Sequence, residues 1–543
     1  MSDKSHDELM APDGAVTPID TDYQVGQDNI ALKIGPFGLD IHNRVFVVSG
    51  SLIALFVAVT LLFRNSVGPV FSELRNTLTS QMDWFFISAG NVFVLLCLVL
   101  IVTPLGRVRL GGTEAKPDYT YVGWFSMLFA AGMGIGLMFY GVSEPLSHYA
   151  ASLGGVNVVD GVRTDWAPLG AALGSTEAAK DLGMAATIFH WGLHPWAIYA
   201  LLALSLALFS FNKGLPLTMR SVFYPLFGER IWGWPGHIID ITAVVATLFG
   251  LATSLGFGAS QAAAGLNFLF GIPNGTPTQI ILIIGITGLA LSSVVAGLDS
   301  GVKRLSEINM GLATLLMLFV IAVGPTMAIF SSIFTNMVAY FENLPALSMP
   351  FDRQDANYSQ GWTAFYWAWW MSWSPFVGMF IARVSRGRTV REFIVCVLLI
   401  PTSVCVIWMT TFGTTAIEQL NDGYRGVVDA ALPLQLFTML DGLPLSSITS
   451  LLGIVLVVIF FVTSSDSGSL VIDTISAGGK VDAPIPQRIF WCTFVGLVAI
   501  SLLLGGGLSA LQAMVVSTGL PFCIVLLLCA FSLVKGLMSE PRA

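Results

Sequence analysis

Residues 130–145 read AAGMGIGLMFYGVSEP, and the chain is predicted to be organised around this segment. It belongs to a strongly apolar span, yet Gly132, Gly134, Gly136 and Gly141 stand where helix interior is expected. Each glycine weakens a helix by about 1 kcal/mol relative to alanine. Inside a bilayer, interrupted helix is tolerated only where it is buried in protein or lines a cavity, because backbone groups find no water there. An interrupted membrane helix beside a cavity is therefore predicted.

A second interruption is predicted within residues 367–380, WAWWMSWSPFVGMF, which carry Ser374-Pro375 in the middle. Proline inside a helix removes one backbone hydrogen bond. Interrupted helices in corresponding halves of a membrane protein indicate a transport site near the bilayer midplane.

The composition is that of a protein that crosses the membrane many times. Of the 543 residues, 55% are hydrophobic and 11% are charged, and the mean hydropathy is +0.78. Soluble domains carry about 25% charged residues. Because of this apolar composition, membrane lipids are expected around the protein. The chain has no basic patch, so no nucleic-acid partner is expected.

Three regions are predicted: a disordered acidic cytoplasmic tail over 1–40, an all-α polytopic membrane domain over 41–538, and a short cytoplasmic C-terminus over 539–543. The domain contains twelve apolar spans, each of the roughly 18–25 residues that cross a hydrocarbon core. They begin near Val45, Trp84, Tyr121, Ala185, Ile239, Thr278, Asn309, Gly361, Arg391, Ser447, Ile489 and Ala513.

The basic residues set the orientation. With the N-terminus inside, roughly three quarters of the 25 Lys and Arg residues fall on the inner side, as the positive-inside rule requires. Both termini are therefore predicted to be cytoplasmic.

Aromatic residues are concentrated in two places. Five of the fourteen tryptophans lie between Trp362 and Trp373, and the segment FHWGLHPWAIY at 189–199 adds two more and a tyrosine. Tryptophan gathers at membrane interfaces, an explanation that fits Trp362 but not a cluster beside Ser374-Pro375. Aromatic rings also bind quaternary ammonium groups, each contact contributing about 0.5–2 kcal/mol. The two clusters together predict an aromatic cage.

Small polar residues, TSSDS, occupy positions 463–467 of the tenth span. Their hydroxyls and nearby carbonyl oxygens could coordinate Na⁺. Ser and Thr can instead hydrogen-bond to their own helix backbone, and this alternative stays open.

His190 and His194 are four residues apart, a spacing that suits a metal ion. No third zinc-type ligand stands nearby in the sequence, so no metal site is predicted there. A membrane-embedded enzyme would need convergent titratable groups inside the spans, and none is expected.

Two loops have patterns of their own. Residues 383–391, RVSRGRTVR, hold four arginines that could anchor the topology or bind lipid head groups. An amphipathic helix on the outer surface is predicted from apolar residues at helical spacing, Ile333, Met337, Tyr340, Phe341 and Leu344.

The motifs GMGIG at 132–136 and WAWWMSWSPF at 367–376 resemble those of the betaine/choline/carnitine transporter family, over residues 40–535. The resemblance implies the inverted-repeat fold of the leucine-type sodium symporters, with spans 3–7 and 8–12 as the repeats. It also implies a homotrimer, formed partly through the outer-surface helix.

The resemblance implies two kinds of site residue. Substrate would contact Trp191, Trp196, Tyr199, Trp369, Trp370, Trp373, Met133, Gly134 and Gly136. Sodium would bind at Ala130, Met133, Phe460, Thr463 and Ser464, and at a second site with Thr247 and Phe376. One turn after Thr247, where sodium-coupled members are expected to carry a hydroxyl, this chain has Leu251.

The predicted function is Na⁺ symport of a betaine-type zwitterion across the inner membrane, with no cofactor besides the coupling ion. Gly136 favours a zwitterion, because choline or carnitine carriers of the family tend to have an acidic residue there. Proton-coupled choline uptake and carnitine/betaine exchange are the alternatives within transport. An enzyme or a solute sensor is the alternative from another class.

Overall fold

The computed structural model describes residues 17–34, 37–132, 134–172, 174–296 and 299–542. The strands form two small antiparallel hairpins, β1 (Asn29–Ile34) with β2 (Phe37–His42) and β3 (Val158–Val159) with β4 (Val162–Arg163).

Helices make up most of the rest. The first nine are α1 (Val45–Leu62), α2 (Val67–Val102), α3 (Tyr121–Gly132), α4 (Ile135–Gly154), α5 (Thr176–Trp191), α6 (Leu193–Ala207), α7 (Tyr224–Phe227), α8 (Trp234–Phe270) and α9 (Thr276–Ala296). The others are α10 (Asp299–Val323), α11 (Thr326–Leu347), α12 (Ala356–Tyr358), α13 (Ala364–Arg383), α14 (Val390–Asn421), α15 (Gly426–Asp429), α16 (Gln435–Asp441), α17 (Ser446–Ser476) and α18 (Ile485–Met538).

The chain is an all-α polytopic membrane protein, as predicted. Within the described ranges, nine helical segments are long and apolar enough to cross a membrane, with Thr176–Asn212 (α5 and α6) counted as one. The number is ten if the bent pair α3–α4 forms a single span. The 54-residue α18 is interrupted at Gly506 and Gly507, whose backbone angles are not helical. Twelve spans and the inverted repeat remain predictions.

The interruption predicted in the glycine-rich stretch is confirmed. The axes of α3 and α4 differ by 66° across the break. Gly134, just before α4, is fully extended, with φ −167° and ψ −178°. Further along α4, a Cβ on Gly141 would lie 2.7 Å from Nε1 of Trp408, which donates to the Leu137 carbonyl at 2.9 Å. Gly141 therefore allows Trp408 to pack closely against α4 and does not contribute to the break.

The prediction of an interruption at Ser374-Pro375 is wrong, because α13 runs unbroken from Ala364 to Arg383. Pro375 has no N–H to donate to the carbonyl of Met371, four residues earlier. The Ser374 hydroxyl donates to that carbonyl instead, at 2.7 Å. A side-chain hydrogen bond thus replaces the missing backbone bond, and the helix continues.

Part of the predicted acidic tail over residues 1–40 folds into the β1–β2 hairpin, and residues 1–16 lie outside the described ranges. The hairpin packs at the end of α17, where the Asn29 amide donates to the Ala477 carbonyl at 2.8 Å and Asp40 pairs with Lys480. These partners are more than 400 residues away in the chain, so local composition could not reveal them.

The predicted surface helix is present as α11, but the pattern misplaced its packed face. Tyr340 is buried, whereas Phe341 is 52% exposed. A continuous exposed apolar stripe runs along the helix at helical spacing, formed by Met327, Phe330, Phe334, Val338 and Phe341.

Arginines of the 383–391 loop bind protein groups. The Arg391 guanidinium donates to the carbonyls of Ile101 and Thr103, and Arg388 pairs with Glu392 at 2.8 Å. These contacts join the loop to α2 and to the start of α14, which favours an anchoring role over lipid binding.

Candidate functional site

A cavity of about 240 Å³ lies beside the break between α3 and α4. Residues from α5, α6, α8, α10, α13 and α17 complete its walls. The cavity is mostly apolar and holds a few polar groups, the usual character of a small-molecule binding site.

Most of the predicted substrate residues line this cavity, namely Gly134, Gly136, Trp191, Tyr199, Trp369, Trp370 and Trp373. Trp196 is not among them; its ring is fully buried and packs 5.4 Å from Tyr199 and 6.1 Å from Trp370. Met133 lies outside the described residues. Trp196 thus supports the wall from behind.

Trp370 is the centre of one wall. Its ring centroid lies 5.2 Å from that of Trp191, at an interplanar angle of 82°, and 5.3 Å from that of Tyr199, at 67°. These are the edge-to-face arrangements that aromatic rings prefer. The three rings hold one another in place while lining the cavity.

The indole N–H groups of this wall are bonded to the scaffold. Trp191 donates to Oε2 of Glu144 at 2.7 Å, and Trp370 donates to the backbone carbonyl of His190 at 3.0 Å. Because the polar edge of each indole is satisfied by protein, the ring surface that lines the cavity is apolar and π-rich.

The other two tryptophans, Trp369 and Trp373, donate to the same side-chain acceptor. Ser254 Oγ accepts from Nε1 of Trp369 at 3.2 Å and from Nε1 of Trp373 at 3.1 Å, while its own hydroxyl donates to the Gly250 carbonyl. A single serine on α8 therefore orients two indoles of α13.

Gly136 makes room for the cage. A Cβ at this position would lie 2.7 Å from Cη2 of Trp191, closer than real Cβ contacts allow, and at a tight 3.2 Å from Cη2 of Trp369. Gly136 also belongs to the first turn of α4, whose N–H groups lack intrahelical partners and favour an anion. The motif therefore brings indole rings and free backbone donors to one place.

The predicted sodium ligands meet at the same cavity, which is lined by Ala130, Phe460, Thr463 and Ser464. The Thr463 hydroxyl donates to the carbonyls of Ile459 and Phe460, both at 3.1 Å. Of the second predicted site, Phe376 lines the cavity, but Thr247 is buried outside its lining.

Asn309 is a cavity residue that sequence reasoning missed. It belongs to α10, is 1% exposed, and neither atom of its amide has a hydrogen-bond partner among the described residues. A buried amide without partners costs about 1–3 kcal/mol, so its place on the wall favours a bound ligand as its partner. The available signal was a lone polar residue inside an apolar span.

Glu144 was also missed. It is wholly buried in α4, and both His148 and His190 lie beside it, with ligand-type atoms within 4.8 Å of one another. The expectation that no titratable groups converge inside the spans is therefore wrong. Those atoms hydrogen-bond to one another, so a metal ion could bind only by replacing these bonds.

His194 does not join this cluster. Its Nε2 lies 3.0 Å from Oδ1 of Asn91, and its ring stacks on that of Trp367 at 5.5 Å. His190 and His194, although four residues apart in the sequence, therefore belong to two different hydrogen-bond networks.

Comparison with known proteins identifies the family. Residues 44–542 match the betaine/carnitine/choline family transporter model. A glycine betaine/proline/choline transporter of Vibrio parahaemolyticus is 72% identical over 543 residues, which cover 100% of this chain and 98% of the relative. Glycine betaine transporter 1 of the same species is 53% identical over 531 residues, 96% and 97% of the two chains. A glycine betaine transporter of Acinetobacter baylyi is 42% identical over 503 residues, 92% and 74%.

The matched range contains the interrupted helix, the aromatic cavity wall and the hydroxyl residues of α17. The resemblance inferred from the two motifs is confirmed, and membership in a family of transporters settles the choice between transporter and enzyme. The chain belongs to the betaine/carnitine/choline transporter family.

Proposed function

We propose that this protein imports a betaine-type quaternary ammonium zwitterion, glycine betaine first among them, together with Na⁺. The observation that carries the proposal is a single cavity that combines four tryptophans, the N-terminus of α4 and the oxygen-bearing residues of α3 and α17. The relatives named for glycine betaine transport support the same substrate class.

The cage accounts for the positive end of the substrate. A quaternary ammonium group has no N–H to donate, so hydrogen bonding cannot recognise it. The faces of Trp369, Trp370 and Trp373 attract it through their quadrupoles, each contributing about 0.5–2 kcal/mol. Methyl-sulfonium zwitterions such as dimethylsulfoniopropionate would fit the same cage.

The start of α4 accounts for the negative end. Free N–H groups at Ile135 and Gly136 favour a carboxylate, which also gains from the helix dipole. Choline has no carboxylate, so its binding would leave these donors unpaired. Choline is the second candidate substrate, because the relative at 72% identity is named for choline and proline as well.

The hydroxyls of α17 support a sodium site. A hydroxyl that donates its hydrogen to the backbone keeps its oxygen lone pairs for a cation. The bonds of Thr463 to its own helix are therefore compatible with Na⁺ binding, and the two interpretations of this residue do not conflict. If Na⁺ raises the affinity for the substrate, the substrate must raise the affinity for Na⁺ by the same factor.

The direct experiment is uptake of labelled glycine betaine into proteoliposomes. We expect accumulation with an inward Na⁺ gradient and none with equal Na⁺ on both sides and no membrane potential. Full uptake driven by a proton gradient in sodium-free buffer would refute sodium coupling. If the protein took up choline but not glycine betaine, the assignment of a zwitterionic substrate would be refuted.

The proposal also covers the membrane location, the topology and the oligomeric state of the protein. We place it in the cytoplasmic membrane with both termini inside, on the strength of the basic-residue distribution. The exposed stripe of α11 is a suitable surface for a homotrimer. Phe334→Glu, in the centre of the stripe at 74% exposed, should shift the purified protein to monomers in light scattering.

A further inference from the structure

Glu144 is the one carboxylate that touches the cage in the described part of the chain, and four side chains surround it. Its Oε2 accepts from Nε1 of Trp191 at 2.7 Å and from the Tyr366 hydroxyl at 2.5 Å. Its Oε1 lies 2.6 Å from Nδ1 of His190 and 3.3 Å from Nε2 of His148. The carboxylate is completely buried.

The geometry fits an ionised carboxylate. An indole N–H can only donate, and the Tyr366 hydroxyl donates its hydrogen to the same Oε2. A carboxylate that accepts on both oxygens needs no proton of its own. The two imidazoles complete its hydrogen bonding, so the group is satisfied without solvent. Hydrogen bonds to a charged acceptor are about twice as strong as neutral ones.

This single group holds two tryptophans of the same cage wall. It holds Trp191 directly, and it holds the ring of His190, whose backbone carbonyl accepts from Nε1 of Trp370. The other ring nitrogen of His190 is tied to Thr363 Oγ1 at 2.9 Å. The relative orientation of Trp191 and Trp370 therefore depends on the Glu144–His190 unit.

We propose that Glu144 is a positioning residue that also makes the cage selective for a cation. By accepting the indole N–H of Trp191, its negative charge increases the electron density of that ring and so its attraction for a positive head group. The inference rests on the proposed function and deepens it: the site distinguishes a charged head group from a neutral one of the same shape.

The experiment compares glycine betaine with 3,3-dimethylbutyrate, in which a carbon atom replaces the quaternary nitrogen. Glu144→Gln keeps the size of the side chain and one acceptor oxygen but removes the charge. We expect the KM for glycine betaine to rise about tenfold, while the inhibition constant of 3,3-dimethylbutyrate changes less than twofold. A residue that only maintained the fold would shift both constants alike.

The matched control is His194→Gln. His194 belongs to α6, four residues after His190, is buried to a similar degree and bonds Asn91 outside the cavity lining. This variant should leave the ratio of the two constants at the wild-type value. Thermal unfolding of each purified variant shows whether it is folded.

If Glu144→Gln does not fold, Tyr366→Phe provides the test. It removes one donor from Oε2, so Trp191 shares the charge of that oxygen with one donor fewer. The KM for glycine betaine should fall while the inhibition constant of 3,3-dimethylbutyrate stays the same, and an unchanged KM would overturn the proposal. A rise in both constants together, in either variant, would overturn the proposal. Wild-type protein without glycine betaine uptake would overturn the proposed function as well, whereas normal wild-type uptake with an unchanged ratio in Glu144→Gln would overturn only the role of Glu144.

Discussion

The α3–α4 pair and α13 are the first spans of the two predicted repeats, and both carry residues that disrupt helices. The glycine stretch breaks, with a bend of 66° at an extended Gly134, whereas α13 passes Pro375 without interruption. The difference lies in what replaces the lost hydrogen bond. Ser374 compensates for the proline within its own turn. Glycine offers no side chain to do so, and its small size instead admits neighbouring groups.

The two spans therefore contribute differently to the cavity. The break presents backbone N–H and C=O groups, while the intact α13 presents a row of indoles. A zwitterion needs both kinds of surface, one for its carboxylate and one for its ammonium group. The asymmetry between the first spans matches the asymmetry of the proposed substrate.

The largest effect is expected from Gly136→Ala in α4. The new methyl group would overlap Trp191 and lie tightly against Trp369, and overpacking of this kind costs about 1–3 kcal/mol. The KM for glycine betaine should rise roughly ten- to a hundredfold at nearly normal abundance in the membrane. Gly154→Ala, in the same helix and with open space around its Cβ, is the control. Unchanged affinity in Gly136→Ala would mean that the break does not shape the cage.

The double variant Thr463→Ala/Ser464→Ala tests the proposed sodium site beside the break. The double variant removes two hydroxyls that face the same cavity as Ala130. Apparent sodium affinity should fall by about tenfold or more, and uptake should be lost at low Na⁺ but recover at high Na⁺. Uptake measured across a sodium titration decides this. Unchanged sodium dependence would place the ion elsewhere.

Trp373→Leu tests the contribution of α13. Loss of one cation–π contact should weaken binding of glycine betaine by about 0.5–2 kcal/mol, or two- to thirtyfold in affinity. Binding to the purified protein is the measurement, with abundance in the membrane as the control. Poor folding with normal affinity in the surviving protein would show that Trp373 is structural.

The smallest effect concerns the reason that α13 is continuous. Ser374→Ala should leave the Met371 carbonyl unpaired and lower stability by about 1 kcal/mol. Adding Pro375→Ala supplies a backbone N–H for that carbonyl, so the double variant should recover the loss. A thermal-unfolding double-mutant cycle measures the coupling. Additive effects would show that the hydroxyl does not compensate for the proline.

Local composition and periodicity were sufficient for the membrane class, the glycine break and the surface helix. They also identified the tryptophans and the hydroxyl residues of the cavity, because clusters of these are rare inside apolar spans, whereas Ala130, Phe376 and Phe460 were implied by the family resemblance. They failed where a partner lies far away in the chain. The β1–β2 hairpin is ordered by Ala477 and Lys480, and composition alone made that segment resemble a disordered tail.

Hydrophobic length and the rarity of polar groups in a bilayer are local properties, so the fold class and the chemical character of the site could be predicted from the sequence. Which polar groups meet depends on the tertiary structure. Glu144 reaches Trp191 and Tyr366 from another helix, and Asn309 faces the cavity without any motif around it. The same holds for Pro375, whose effect on the helix depends on one serine rotamer. Buried polar groups must be satisfied by specific partners, and helix packing alone brings those partners together.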